Sequence, residues 1–181
     1  MKVEETGLPG VLLLSPAIYR DSRGAFMETF NLRRMAEAGL PESWVQDNFS
    51  VSKKHVIRGI HYQITQPQGK LVRVTHGAVL DVAVDLRRSS PEFGKHVAAE
   101  LSAENGAMLW IPVGFGHAFL VLSDEAGFAY KVTDYYSQAG ERTIAWNDPD
   151  LAIPWPVTME TAIVSEKDQR AASFRNAEVF E

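Results

Sequence analysis

The chain is predicted to be all-β, a barrel or sandwich of short antiparallel strands with one or a few short helices. Two observations carry this expectation. Through the middle of the sequence, short apolar or aromatic runs alternate with Gly, Pro, Ser or Asp-Glu punctuation, the pattern of strands joined by tight turns. One run keeps a strict period of two, while helical spacing is confined to brief segments.

In chain order, the first helix is signalled by Asn31 as a cap, by Leu32, Met35 and Ala36 at helical spacing, and by Gly39 with Pro41 as a stop. Leu80, Val82, Val84 and Leu86 then alternate with Val79, Asp81, Ala83 and Asp85, giving a strand with one strongly apolar face. Further strands are expected at residues 97–101, 108–111, 118–122 and 128–132. Ser165 is a second capping candidate, with Glu166, Lys167 and Asp168 forming a short helix behind it. Many short strands with regular turns favour a sandwich or barrel.

The length of 181 residues, with 9 Pro and 13 Gly spread evenly and no repeat, linker or low-complexity tract, predicts one domain over residues 1–181. Lys and Arg number 18 against 23 Asp and Glu, a net charge of −5. Such a chain has no general field for a nucleic acid or an anionic membrane, so neither is expected as a partner. An anionic ligand must be met by locally gathered cations. Cysteine is absent, which excludes disulfides, thiol catalysis and cysteine-bound zinc. The N-terminus has two glutamates where a secretory signal is cationic, and its apolar run from Val11 to Leu14 is too short for one. A cytoplasmic protein is expected.

From Gly106 the chain passes through Pro112, Val113, Gly114, Phe115 and Gly116 to His117. That spacing resembles the second signature of the cupin jelly rolls, in which Pro and Gly turn the chain and the histidine projects into the barrel. The stretch corresponding to the first signature reads Gly59-Ile60-His61-Tyr62-Gln63. Gln63 stands where a second imidazole is needed, no carboxylate occurs from there to Val74, and Lys70 brings a charge that repels a divalent ion. The metal-ligand set is therefore incomplete. Metal-free acid/base chemistry without a cofactor is the more economical expectation.

Longer strings identify a family. Val45-Gln46-Asp47-Asn48-Phe49-Ser50, Ile57-Arg58-Gly59-Ile60-His61-Tyr62-Gln63 and Gly69-Lys70-Leu71-Val72-Arg73-Val74 resemble the dTDP-4-dehydrorhamnose 3,5-epimerase family. So do Asp81-Val82-Ala83-Val84-Asp85-Leu86-Arg87, Ile111-Pro112-Val113-Gly114-Phe115 with His117, and Tyr130-Lys131 with Asp134-Tyr135-Tyr136. Trp146-Asn147-Asp148-Pro149 and Ser165-Glu166-Lys167-Asp168 extend the similarity over nearly the whole chain.

The resemblance implies a cupin-type jelly roll that inverts carbons 3 and 5 of dTDP-4-keto-6-deoxyglucose through an enolate, on the way to dTDP-L-rhamnose. The alternative it leaves open is a 3- or 5-epimerase of another dTDP-4-keto-6-deoxy sugar in a natural-product pathway. It further implies His61 as general base, Asp168 as its carboxylate partner, Lys70 at the enolate oxygen and Tyr130 as the acid on the opposite face of the sugar. Substrate binding falls to Arg23, Glu28, Gln46, Asn48, Arg58, His117, Glu141 and Lys167. A homodimer with exchanged N-terminal strands is implied, with Arg23 and Glu28 completing the neighbour's site. Phe49, Val51, Lys54 and His55 depart from the family's usual residues and are expected in a loop.

Judged singly, most of these residues invite plainer readings. Tyr130 shares strand parity with Phe128 and Val132, as a core aromatic would. Asp81 and Asp85 read as a solvated or interface-facing row, and Lys167 with Asp168 as surface charges. Arg58 and His61 have opposite parity, so a bulge at Gly59 is needed to bring them to one face. Two other classes compete: a metal-dependent oxygenase, disfavoured by Gln63 and Lys70, and a sugar-binding module, which has no need of His61, Lys70 and Tyr130 together. Hydrolase, nucleotide-hydrolysis and dinucleotide motifs are missing.

Overall fold

A computed structural model describes residues 1–181, and its strands form two opposed sheets. One sheet runs β1 (Lys2–Glu5), β2 (Leu12–Ser15), β10 (Met108–Ile111), β7 (Lys70–His76), β12 (Glu125–Val132) and β5 (Gln46–Lys53). The other runs β13 (Glu141–Thr143), β6 (Val56–Gln63), β11 (Phe115–Val121), β8 (Ala78–Asp85) and β9 (His96–Ser102), with β14 (Ile163–Val164) added in parallel to β6. A separate hairpin, β3 (Ile18–Asp21) and β4 (Gly24–Met27), pairs only with itself. All other pairings between these strands are antiparallel. The architecture is the expected jelly roll.

Side-chain alternation assigns each strand's faces. Val72, Val74, Leu109 and Phe128 from one sheet meet Val79, Leu101, Phe119 and Val121 from the other in the central core. Phe119 and Phe128 stack there with ring centroids 4.1 Å apart. Burying such an aromatic contributes roughly 1.5–3 kcal/mol. The two rings also floor the cavity into which the core opens.

The strand at 78–85 was expected to have one apolar face, and both of its faces are covered. Its second face, with Val82 and Val84, packs with Ile60, Leu86 and Ala118 under Leu151, Phe174, Val179 and Phe180. The C-terminal segment thus hides a sheet face that would otherwise meet water. The first sheet is covered in the same way: Met35, Leu40 and Trp44 pack on Leu14, Leu71, Met108 and Trp110. Met35 comes from α1 (Leu32–Glu37), whose Asn31 side chain accepts a hydrogen bond from the Arg34 amide.

Two expectations need correction. Phe49 and Val51 lie within β5, and only Lys54 and His55 form the turn after it. Asp81 and Asp85 are fully buried. Asp85 is held by the Arg87 guanidinium and the Ser90 hydroxyl, and Asp81 by a histidine described below.

Candidate active site

Antiparallel pairing of β6 with β11 sets His61 opposite His117 and Arg58 opposite Phe119. Three steps along β6 therefore match two along β11, which is the bulge the sequence required. Gly59 makes it possible: its φ is +121°, and an added Cβ would lie 2.5 Å from both the Ala118 Cβ and the His117 carbonyl oxygen. The extra residue turns Arg58 and His61 into the same cavity.

That cavity has a volume of about 340 Å³. Its walls come from both sheets, with Asn48 on β5, Lys70 on β7, His117 on β11, Tyr130 on β12 and Glu141 on β13. Asn48 and Tyr130 are direct cross-strand partners, so the phenol enters from the sheet opposite His61. Tyr130 is therefore a cavity residue packed beside Phe128.

His61 gains its partner from the far end of the chain. The Ser165 hydroxyl accepts from the Asp168 amide and starts α2 (Glu166–Gln169), the second expected helix. α2 lays the Asp168 carboxylate 2.7 Å from His61 Nε2. Asp168 is only 3% exposed, which corrects the surface reading. Burial pushes its carboxyl up, but the His61 hydrogen bond and charge, the Gly59 amide and the Ser165 hydroxyl together hold it below the usual carboxylate range. Because the carboxylate accepts the Nε2 proton, Nδ1 is the basic nitrogen of the neutral ring.

Lys70 is 9% exposed and donates to the His61 carbonyl oxygen at 3.3 Å. Burial lowers its pKa to about 8, against the opposing charges of Asp81 and Glu141. Burial also raises the Tyr130 phenol, with Arg58 opposing and Glu141 assisting. At neutral pH the cavity thus presents a proton-carrying phenol and an ammonium poised near its titration point. His117 Nε2 lies 2.9 Å from Asp81 Oδ2, and burial lowers its pKa.

The polar rim is organised by paired side chains. Gln46 donates to Asn48, and Arg58 Nε donates to the Ser52 hydroxyl at 3.0 Å. Glu141 bonds the Lys167 ammonium and the Tyr136 hydroxyl. Burial raises the Glu141 carboxyl, but these two partners and the His61 charge bring it down overall. Arg23 and Glu28 lie elsewhere: Arg23 pairs with Asp21 on the separate hairpin, and Glu28 with Arg34 and Asn31. The cavity of this chain includes neither.

The donors present do not suit a divalent metal. Gln63 is committed to the two connections flanking it, donating to the Gln66 carbonyl between β6 and β7 and to the Tyr135 carbonyl between β12 and β13, and accepting from the Ser137 amide. Lys70 places an ammonium in the same cavity.

The family model described as dTDP-4-dehydrorhamnose 3,5-epimerase matches residues 5–176. The chain belongs to the dTDP-4-dehydrorhamnose 3,5-epimerase family. It is 51% identical over 181 residues to the enzyme of that name from Pseudomonas aeruginosa, covering 99% of both chains. Identity to the Shigella flexneri enzyme of the same name is 50% over 182 residues, again covering 99% of each. Among solved structures, a dTDP-6-deoxy-D-glucose-3,5-epimerase from Legionella pneumophila in complex with dTDP-4-keto-L-rhamnose superposes with a TM-score of 0.94 at 47% identity. That match covers 98% of this chain and 94% of the other.

Within this epimerase-family site, sequence reasoning overlooked three contributors. Asp81 sat in an alternating strand and looked solvated. Ser52, which holds Arg58, carried no signal at all. Tyr136 was noted only as part of a matching string, although its hydroxyl reaches Glu141 at 2.9 Å.

Proposed function

We propose that the protein is a dTDP-4-dehydrorhamnose 3,5-epimerase, an isomerase that inverts carbons 3 and 5 of dTDP-4-keto-6-deoxyglucose. The observation that carries this reading is the facing arrangement of His61, backed by Asp168, on one sheet and Tyr130 with Lys70 on the other, with His61, Lys70 and Tyr130 lining one cavity.

Protons on carbons 3 and 5 are acidic only because the carbon 4 ketone accepts the electron pair they leave behind. His61 removes such a proton, and Asp168 stabilises the imidazolium that forms. Electron density moves to the ketone oxygen, where the Lys70 ammonium stabilises the enolate. Tyr130 delivers its phenolic proton to the opposite face of the same carbon, and the ketone reforms with inverted configuration. Histidine then returns its proton to solvent and the phenol regains one. The cycle repeats at the second carbon without any net redox change.

Arg58 and Lys167 are the cations assigned to phosphate oxygens. Gln46, Asn48, His117 and Glu141 are assigned to the rest of the nucleotide sugar. The reading includes a homodimer. Its support is the β3–β4 hairpin, which holds Tyr19 and Phe26 at 66% and 70% exposure and pairs with neither sheet. Arg23 on that hairpin, and Glu28 just after it, are assigned to the neighbouring protomer's site. It also takes residues 1–181 as one domain, supported by the C-terminal segment closing the second sheet, and places the enzyme in the cytoplasm. No helix is long and apolar enough to cross a membrane.

Incubation with dTDP-4-keto-6-deoxyglucose in deuterated water tests the reading. Label at carbons 3 and 5, with the dTDP-4-keto-L-rhamnose configuration formed, is the expected result. Label and inversion at one carbon alone would instead make it a mono-epimerase, and no exchange at either carbon would overturn the assignment.

A further inference from the structure

His117 and Asp81 form a second imidazole–carboxylate pair that no step above uses. Asp81 is 0% exposed, its Oδ2 accepts from His117 Nε2 at 2.9 Å, and its Oδ1 is buried without a partner. A half-satisfied carboxylate between two sheets is costly unless a positive charge stands nearby. Burial disfavours the charged form of His117, so that ring does not supply it. Lys70, on the opposing sheet, is a buried cation that makes no ion pair of its own.

We propose that Asp81 is a positioning residue for the epimerisation: its buried carboxylate orients the His117 ring and supplies the counter-charge that keeps Lys70 an ammonium at the developing enolate. This rests on the enolate role given to Lys70 above. The titratable groups around Lys70 are Arg58 and His61 on β6, Asp81 on β8, His117 on β11, Tyr130 on β12 and Glu141 on β13. Of the two carboxylates, Glu141 already spends its charge on Lys167 and Tyr136. Asp81 has an oxygen left over and exerts the larger opposing effect on Lys70. Its hydrogen bond also sets the His117 tautomer, leaving Nδ1 as the acceptor.

The test compares kcat/KM against pH for the wild type, Asp81→Asn, Lys70→Arg and the Lys70→Arg/Asp81→Asn double variant. Asp81→Asn should move the alkaline limb about one pH unit toward acid, the size expected for losing an opposite charge at short range. At pH 8, the midpoint of the wild-type limb, that is a loss of about fivefold, approaching tenfold at higher pH, carried mainly by kcat. Arginine stays charged, so in the Lys70→Arg background the second substitution should leave the limb where it was. An unshifted limb in Asp81→Asn overturns the proposal, as does an equal shift in both backgrounds.

A second measurement needs neither turnover nor a folded Asp81 variant. Histidine-labelled wild type and Lys70→Met are titrated by NMR, and removal of the ammonium should raise the His117 pKa. An unchanged His117 titration overturns the proposal even in a protein that proves not to be an epimerase. A wild type that fails to turn over the sugar, with His117 still responding to Lys70→Met, overturns the catalytic reading while sustaining the charge coupling.

Discussion

Asp168 Oδ1 lies 2.7 Å from His61 Nε2 across a separation of 107 residues, with the carboxylate buried and the imidazole 31% exposed. The four-residue helix starting at Glu166 places the carboxylate behind a ring that still reaches the cavity. Asp168→Asn keeps the shape and removes the charge that stabilises the imidazolium. We expect kcat to fall by roughly 10²–10⁴-fold. Stability should change as well. The Asp168 carboxyl titrates lower in the folded than in the unfolded chain, so its contribution is complete above about pH 4 and is lost as pH falls through the folded value. Thermal unfolding of wild type and Asp168→Asn should therefore differ most near neutrality and converge in acid.

Lys70 sets the opposite sign. Its pKa falls from 10.5 to about 8 on folding, so holding it charged at neutral pH costs about 3 kcal/mol at most. Between these values the unfolded chain binds more protons, and stability rises with pH. Lys70→Met removes the buried ammonium while retaining its length. Its melting temperature at pH 7 should be above that of the wild type, and turnover should be lost. The wild-type kcat/KM should decline with an alkaline limb near pH 8, read from initial rates.

Gly59→Ala tests the bulge. The new methyl would meet the β11 backbone in a conformation alanine rarely adopts, so strain and overpacking together should cost roughly 2–5 kcal/mol. Denaturant unfolding should show that loss. Activity should fall further than at other equally destabilising sites, because the same residue aims both Arg58 and His61.

Some of this arrangement was legible in the sequence and some was not. The helices were marked by local chemistry: Asn31 and Ser165 each accept from an amide three residues on. The Gly59 bulge followed from parity once Arg58 and His61 were grouped in one polar cavity, since opposite parities meet on one face only if one residue is inserted between them. Asp81 escaped because alternation reports which residues share a face and not what covers that face. The cover over the second sheet arrives from residues about 70–100 positions later, Leu151 and Val179 among them, at a range where periodicity carries no signal. Asp168 and Lys167 were placed by family resemblance, and their own neighbourhood reads as ordinary surface charge.

The exposed hairpin gives a prediction about assembly. Phe26→Asp places a charge on a face that the proposed homodimer covers, and unpaired charge at a buried interface is strongly unfavourable. Light scattering should show the wild type at twice the mass of the chain and the variant shifted toward the single-chain mass. An active wild-type monomer at working concentration would count against the dimer.

His61 and Tyr130 are assigned to opposite faces of the sugar, and deuterium exchange in two variants separates their roles. His61→Ala removes the base, so neither label uptake nor epimerisation should remain above a residue of roughly 10²–10⁴-fold lower rate. Tyr130→Phe removes only the phenolic proton and keeps the ring against Phe128. His61 should then still exchange the proton it reaches, giving label with retained configuration or inversion that stops after one carbon. Wild-type inversion in Tyr130→Phe, or normal exchange in a folded His61→Ala, would contradict the assignment.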